Sequence, residues 1–113
     1  MIIPRMAKAM IRIIVVMKTT GPRETWIPKA HIIKETELSE RYVGDLLAFM
    51  KRANYVETQV GRLGGWRMRR EVTLLEVCQC CSEIFNYETE QTWSGRANFI
   101  IRNLLEKAES TFI

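Results

Sequence analysis

Residues 38–66 constrain the fold more than any other stretch, because they hold a complete set of helix start, helix stop and turn signals. Ser39 is a good helix N-cap, since its hydroxyl can accept a hydrogen bond from a backbone amide one turn into the helix. Asn54 can end that helix, because asparagine tolerates the left-handed conformation found just beyond a helix C-terminus. The apolar positions between them recur at helical spacing and predict one buried face: Val43, Leu46, Leu47 and Met50.

A β-hairpin is predicted directly after this helix. Residues 56–60 alternate with period two, which is typical of a half-buried strand, and residues 66–68 return as a second strand after a glycine-rich turn. Residues 26 and 27 can add a short third strand. A shorter helix is predicted at residues 28–36, with Glu37 and Leu38 as the tight turn between the two helices. Two helices followed by a hairpin with a basic tip are typical of a winged helix-turn-helix.

Further helices are predicted on both sides of this module. Pro4 suits the first turn of a helix, and residues 5–18 contain no helix breaker and carry a wide apolar stripe. Thr73 and Glu76 form a capping box, in which each side chain can bond the other residue's backbone amide, so a helix is predicted to follow. Thr92 or Ser94 can cap a last helix. The predicted fold class is therefore mainly α with a small β wing.

The charge distribution indicates a partner for the first part of the chain. The 113 residues carry a net charge of +4, but residues 1–70 hold fourteen Lys and Arg against six Asp and Glu, whereas residues 71–113 hold three against seven. A basic first part and an acidic last part predict a polyanion-binding module joined to a part with another role. The alternative is that these charges are scattered and only solvated.

Several classes of protein are not expected from this sequence. Arg12 interrupts the apolar run of residues 10–17 and no cleavage site follows, so no export signal is predicted. Three cysteines within four positions are no disulfide framework, and we expect a cytoplasmic location. There is no phosphate-binding loop and no Cys–His or Ser–His pair with an orienting residue, so we do not expect an enzyme.

Residues 38–66 together with residues 72–77 resemble the Rrf-type winged helix-turn-helix regulators, which are bacterial transcription factors. The family includes the iron–sulfur cluster biogenesis regulator, the nitric-oxide-sensing repressor and the cysteine-metabolism repressor. The most specific pieces are Ser39 with Tyr42 three positions later, the pair Leu46 and Leu47, and a glycine-rich wing that ends in an aromatic residue. The resemblance implies a homodimer that binds a near-palindromic operator in double-stranded DNA and usually represses transcription.

The same resemblance implies a division of the chain. Residues 1–85 would form the winged helix-turn-helix DNA-binding domain, with the first helix packed on it. Residues 86–113 would form a loop and a C-terminal dimerisation helix that crosses its partner. This helix has more apolar surface than a monomer of this size easily covers, which fits dimerisation. Its candidate interface residues are Trp93, Ala97, Ile100, Ile101, Leu104, Leu105 and Ala108.

Candidate DNA contacts lie at the start of the second helix and on the wing. A helix N-terminus in the major groove can meet both bases and phosphates, because its free amides and partial positive charge face the DNA. Arg41 is the candidate for a guanine O6/N7 pair, and the hydroxyls of Ser39 and Tyr42 are candidates for phosphate contacts. The alternative is a solvated Arg41 and a Tyr42 packed at the core edge. The other basic candidates are Arg62 for the minor groove and Lys29, Lys34, Arg67 and Arg69 for phosphates.

The wing departs from the family pattern. Val60 stands where the family usually has an arginine, Arg62 stands in place of a proline, and Leu63 stands in place of a glycine. Arg62 is therefore the candidate to replace the usual minor-groove arginine. The altered wing leaves open a second interpretation, in which the chain is a winged-helix protein-interaction module with weak or no DNA binding.

No cofactor is predicted, and an iron–sulfur cluster held in the family manner is not expected. Residues 86–91 contain no cysteine and are much shorter than the cysteine-bearing loop of cluster-binding relatives, and Lys8 stands where some of them place an acidic ligand. Three interpretations of Cys78, Cys80 and Cys81 stay open. They are buried hydrophobic residues, a thiol switch or intersubunit disulfide through Cys80, or a metal site that takes a ligand from elsewhere.

Overall fold

The computed structural model describes residues 5–84 and 112–113. It confirms a mainly α fold with a small β wing. The predicted dimerisation helix lies outside the described residues, as does the predicted boundary at residue 85. None of the described helices is long and apolar enough to cross a membrane. The elements in chain order are α1 (Arg5–Thr19), α2 (Lys29–Thr36), α3 (Glu40–Arg52), β1 (Val56–Gln59), β2 (Gly65–Met68) and α4 (Leu74–Ile84).

The chain forms two compact units. One is Ala9–Glu71, which contains most of α1, the two helices α2 and α3, and the hairpin. The other combines Met1–Lys8 with Val72–Ile113 and contains α4. The candidate DNA contacts that fall on described residues all belong to the first unit.

Within the first unit, α1 buries one face, and both α1 and the residue that follows it contact α2. Arg12 donates a hydrogen bond to the carbonyl oxygen of Thr36, and the hydroxyl of Thr20 lies 3.2 Å from Nε2 of His31. The buried face of α1 is narrower than the predicted apolar stripe, because Val15 is 45% exposed. Four residues of the stripe are at least 97% buried in this unit: Met10, Ile13, Ile14 and Met17.

The turn between α2 and α3 is tight because one residue adopts the left-handed conformation. Glu37 has φ 59°, and its amide donates to the carbonyl of Ile33 at 3.0 Å. The buried hydroxyl of Thr36 donates to the carbonyl of Ile32 at 2.6 Å, so its burial leaves no polar group unpaired. Leu38 is half-buried at this turn. The predicted helix-turn-helix is confirmed.

Helix α3 begins and ends where the sequence predicts. The Oγ atom of Ser39 accepts from the amide of Tyr42 at 3.1 Å, which is the predicted N-cap. Asn54 has φ 64°, and the amide of Tyr55 returns to the carbonyl of Met50 at 2.9 Å, as in a Schellman end. The four residues of the predicted apolar face are fully buried: Val43, Leu46, Leu47 and Met50.

The wing is a two-stranded antiparallel sheet. β1 and β2 pair in a register that sets Val56 opposite Met68 and Gln59 opposite Gly65. The prediction of a strand as far as Val60 is wrong by one residue, because β1 ends at Gln59 and the Val60 side chain is 94% exposed. No second layer covers this end of the hairpin within residues 5–84, so the apolar residue does not enter the core.

The predicted third strand is reduced to one bridge. Ile27 and Trp66 exchange two backbone hydrogen bonds of 2.8 Å each, and the Ile27 side chain is buried. Gly65 makes this close approach possible, since its φ is 154° and a Cβ there would overlap the carbonyl of Ile27. The bridge fixes the segment before α2 against the wing.

In the second unit, α4 starts with the predicted capping box. The amide of Glu76 donates to Oγ1 of Thr73, and Oε1 of Glu76 accepts from the amide of Thr73, both at 3.1 Å. Thr73 also forms an isolated antiparallel bridge with Phe112, and the amide of Ile113 donates to the carbonyl of Val72 at 3.1 Å. The end of the chain is therefore paired with the segment that leads into α4.

Candidate nucleic-acid interface

The start of α3 presents the polar groups predicted to contact DNA. Ser39 and Arg41 are exposed, and Tyr42 is half-buried. Arg41 has no hydrogen bond or ion pair within residues 5–84 and 112–113, so its guanidinium is available. The first amides of any helix lack a carbonyl partner within it, which leaves those of Glu40 and Arg41 directed out of the helix start. The exposed positions of α3 that share a face with Arg41 are Asp45, Ala48 and Arg52.

The Lys29 side chain lies against Gly44 of α3, a contact that was not predicted from the sequence. Its Nζ atom would be 3.0 Å from a Cβ built on Gly44, and its Cε atom 3.6 Å. The glycine therefore makes room for the lysine side chain, which brings a positive charge from the first residue of α2 onto α3. Lys34 is exposed on α2 and has no partner in the described part of the chain.

Arg67, a predicted phosphate contact, makes three contacts within the chain. Its guanidinium stacks on Trp26, with Cζ 3.9 Å from the ring centroid, and its Nε donates to Oε1 of Glu57 at 2.6 Å. It also donates to the carbonyl of Glu24 at 3.1 Å. Glu57 faces Arg67 in the hairpin register, so this pair was readable from the predicted hairpin. The stack on Trp26 was not, because the two residues are far apart in sequence.

Arg69 lies at the end of the wing, where the hairpin meets the end of α3. Its amide donates to the carbonyl of Tyr55 at 2.9 Å, and its guanidinium approaches Oδ1 of Asn54 at 3.5 Å. Its carbonyl accepts from the guanidinium of Arg23 at 2.9 Å. The Arg69 side chain is exposed, so its charge faces solvent.

The tip of the wing is a tight turn with one cation and one large aliphatic side chain at its corner. The amide of Gly64 donates to the carbonyl of Gly61 at 3.1 Å, which places Arg62 and Leu63 at the two central positions of a β-turn. Arg62 is exposed, and the Leu63 side chain is 85% exposed. The tip of the wing, residues 60–64, thus carries two of the most exposed large apolar side chains in the described residues, Val60 and Leu63.

A shallow cavity lies beside the Lys18–Glu71 ion pair, whose Nζ–Oε2 distance is 2.6 Å. A side-chain hydrogen bond from Lys18 lowers the pKa of Glu71. The cavity volume is about 80 Å³. Small-molecule sites usually measure about 300–1,000 Å³, so this cavity does not define an effector pocket.

A helix-turn-helix followed by a basic two-stranded wing defines a winged helix-turn-helix protein, a class that places its second helix in the DNA major groove. The sequence profile of the Rrf2 family, described as iron-dependent transcriptional regulator, matches residues 3–113. The chain belongs to the Rrf2 family and is a DNA-binding transcriptional regulator. The resemblance found in the sequence is confirmed, and family and fold are those of regulators rather than of enzymes.

Solved structures of other regulators share this fold. CymR (YrzC), the global cysteine regulator of B. subtilis, superposes with a TM-score of 0.75 at 18% identity, covering 99% of this chain and 92% of that chain. IscR of T. potens gives a TM-score of 0.71 at 17% identity, covering 99% of this chain and 82% of that chain. The oxidized form of CymR from Staphylococcus aureus gives 0.71 at 18% identity, with coverages of 99% and 92%. No curated protein matches the chain.

The family description includes iron, and the described residues do not fit an iron site. Residues 5–84 and 112–113 contain no group of three or more His, Cys, Asp or Glu side chains that could hold a metal ion. Burial raises the pKa of the Cys78 thiol, and burial together with the neighbouring thiols of Cys80 and Cys78 raises the pKa of Cys81 to about 12. Cys78 and Cys81 are buried, as in the first of the three interpretations of these cysteines, and Cys80 is half-buried. Residues 86–91 lie outside the described residues, so the expected absence of a cluster stays a prediction.

The double role assigned to Ser39 can be separated by two substitutions. Ser39→Ala removes the bond to the Tyr42 amide and is expected to lower the free energy of unfolding by about 1 kcal/mol. Ser39→Asp keeps a good cap but places a negative charge beside DNA phosphates, so we expect nearly unchanged stability and DNA affinity weakened roughly fivefold per protomer. Urea unfolding and DNA titration measure the two effects. Equal DNA affinity for wild type and Ser39→Asp would place Ser39 away from the phosphates.

Proposed function

We propose that this regulator is a homodimer that binds a near-palindromic operator and represses transcription, with the start of α3 in the major groove of each half-site. The observation that carries the proposal is Arg41, which is exposed beside the capped start of α3 and has no partner among the described residues. Bound over a promoter, such a dimer would block access by steric overlap.

Arg41 is the proposed base reader. A guanidinium donates two parallel hydrogen bonds to O6 and N7 of guanine, which discriminates by about 1–3 kcal/mol against other bases. The Ser39 hydroxyl has accepted the Tyr42 amide and can still donate its proton to a phosphate oxygen. Tyr42 is half-buried, and its hydroxyl can contact the same DNA strand at a phosphate. These contacts would fix the register of α3 in the groove.

The proposed phosphate contacts differ in availability. Lys34 and Arg69 are exposed, and Arg62 is exposed at the tip, where the minor groove would lie. Lys29 is half-buried against Gly44, and its ammonium group can reach a DNA phosphate beside α3. Arg67 is the least available of the set, because its guanidinium already contacts Trp26, Glu57 and the carbonyl of Glu24.

Dimerisation is proposed to come from the C-terminal part of the chain. Its proposed interface residues are Trp93, Ala97, Ile100, Ile101, Leu104, Leu105 and Ala108. These residues lie outside the described part of the structure. Their support is the family membership and the broad apolar face in the sequence. A twofold dimer would place two copies of α3 about one DNA turn apart, so half-sites should be centred about 10 base pairs apart or a multiple of that. We also propose a cytoplasmic location, as expected for a DNA-bound regulator.

A second candidate is a winged-helix module that binds protein with weak or no DNA binding. The observation that favours it is the exposure of Val60 and Leu63, since exposed apolar groups often mark protein contacts. A gel shift with sheared genomic DNA at low salt separates the two, because the module would shift no fragment in preference to the others. The thiol switch predicted for Cys80 is a separate question and does not decide between them.

Salt dependence tests the phosphate contacts. Log affinity should fall linearly with log salt, and Lys34→Ala should reduce the slope by about 0.9 for each protomer that loses a contact. The affinity loss should be the same on every sequence, because phosphates carry no base information. Lys51→Ala is the matched control, as Lys51 is exposed in the last turn of α3, at the other end from Arg41. A slope unchanged by Lys34→Ala would remove Lys34 from the interface.

A further inference from the structure

We propose that Leu63 is an apolar wedge, which enters the minor groove next to Arg62 and distorts the base step beneath the wing. The proposal rests on the proposed function, because it needs the wing to lie on DNA. It assigns to the tip a part in sequence selection beyond charge neutralisation.

The geometry of the tip suits a wedge. Arg62 and Leu63 are the two corner residues of the turn closed by the Gly64–Gly61 hydrogen bond, so they extend furthest from the strands. Neither has a positive φ, so the corner holds both side chains without backbone strain. Leu63 is 85% exposed, so within the described residues its isobutyl group is not part of any core.

Two interactions hold the turn against the end of the sheet. Gly64 lies so close to the carbonyl of Gln59 that a Cβ would overlap it, which packs the turn onto the end of β1. The hydroxyl of Thr58 donates to the carbonyl of Gly65 at 2.8 Å, which holds the two strands together at the end nearest the turn. A side chain at the corner of a braced turn loses less entropy on insertion than one on a loose loop.

Charge selects DNA as the occupant of this tip. Arg62 is exposed at the turn and residues 58–66 contain no acidic residue, whereas further down the hairpin the charge of Arg67 is paired with Glu57. The turn therefore presents a net positive charge to a partner. The minor groove is an anionic slot about 6 Å wide, which a turn corner with one cation and one aliphatic group can enter. Proteins that bind this groove often insert leucine or similar side chains between base steps and kink the duplex.

The wedge has a consequence for sequence preference. Pyrimidine–purine steps such as TA and CA unstack most easily, whereas A-tracts are stiff. A leucine wedge should therefore favour a flexible step under the wing, at a position where no hydrogen bond reads the bases. This preference would appear beside the half-site that Arg41 reads, once in each half of the operator.

The test is selection from a random pool of double-stranded 40-base-pair DNA, carried out in parallel with wild type, Leu63→Gly, Leu63→Met and Val15→Ala. Wild type and Leu63→Met should enrich TA or CA steps at one position outside each α3 half-site. Leu63→Gly should lose this enrichment and keep the half-site sequence. Val15→Ala removes an aliphatic group that is also exposed, but on α1, and should behave as wild type.

Affinity and bending on one selected fragment complete the test. Replacing the flexible step with AA should weaken wild type about tenfold and Leu63→Gly less than twofold. Energy transfer between dyes at the fragment ends should report a larger bend with wild type than with Leu63→Gly. Since Leu63 is outside the core, Leu63→Gly should lower the melting temperature only by the few degrees that a glycine costs through the entropy of the unfolded chain.

The outcomes separate this proposal from the one on which it rests. If wild type enriches no sequence and binds no DNA, the proposed function and the wedge both fail. If wild type selects half-sites but Leu63→Gly selects the same steps with the same bend, the wedge alone fails. A docking role of Leu63 on a protein would give this last result.

Discussion

Gly65→Ala is expected to lower the free energy of unfolding by about 3–5 kcal/mol, which is among the largest effects of a single substitution. A Cβ at this position would overlap the carbonyl of Ile27, and φ 154° is a conformation that L side chains rarely adopt. The two 2.8 Å hydrogen bonds between Ile27 and Trp66 would have to lengthen or break. Urea unfolding measures the free energy, and hydrogen exchange of the Ile27 and Trp66 amides shows whether the bridge is lost.

Gly61→Ala is the matched control for this prediction. Gly61 also has a positive φ, at 116°, but a Cβ there meets nothing within 4 Å. We therefore expect only the cost of backbone strain, about 1–3 kcal/mol, with normal exchange at Ile27 and Trp66. Similar losses for both substitutions, with the Ile27–Trp66 bridge intact in each, would mean that the close approach at Gly65 does not limit the fold.

Arg41→Ala is expected to remove most of the sequence discrimination of the regulator. Each protomer would lose one guanine contact worth about 1–3 kcal/mol, so the ratio of specific to non-specific affinity of a dimer should fall by roughly 30-fold or more. Stability should stay within about 0.5 kcal/mol of wild type, because Arg41 is exposed and unpaired within the described residues. Titration of a selected fragment and of an unrelated fragment of the same length gives the ratio.

Arg52→Ala controls for the loss of a charge from the same helix. Arg52 is in the last turn of α3, and its guanidinium stacks over Phe49, with Cζ 4.8 Å from the ring centroid. Its removal should weaken both fragments alike, if it weakens them at all. A specificity ratio that Arg41→Ala leaves unchanged would show that Arg41 is a solvated charge, the alternative raised by the sequence.

Local signals in the sequence predicted the ends of the helices well. The Ser39 cap, the left-handed Asn54 and the capping box of Thr73 with Glu76 are each defined by residues at most a few positions apart. Such interactions depend on side-chain chemistry and chain geometry alone. They are therefore readable without knowledge of the tertiary structure.

Features that depend on distant residues were predicted less well. The early end of β1 and the exposed Val60 depend on what covers the hairpin, which its own alternation does not reveal. The stack of Arg67 on Trp26 joins residues about forty positions apart, so a charge that looked available for DNA is partly used within the chain. The contact of Lys29 with Gly44 likewise needs the packing of α2 on α3.

The sequence offered candidate DNA contacts but could not rank them by availability. Composition and the helix-turn-helix pattern pointed to the start of α3 and to the wing. Only the structure shows that Arg41 and Lys34 have no partner within the described residues, whereas Arg67 has three. The residues proposed for dimerisation lie outside the described part of the chain, so they stay predictions.

The most direct test of the central claim, that the start of α3 reads the major groove, is interference by 7-deazaguanine, which lacks N7 on the major-groove edge. Each guanine of a selected fragment is replaced in turn, and binding of wild type and of Arg41→Ala is measured. We predict two sensitive guanines for wild type, about 10 base pairs apart or a multiple of that, and no sensitivity at them for Arg41→Ala. Wild-type binding that tolerates every replacement, or Arg41→Ala that keeps both sensitive positions, would contradict the claim.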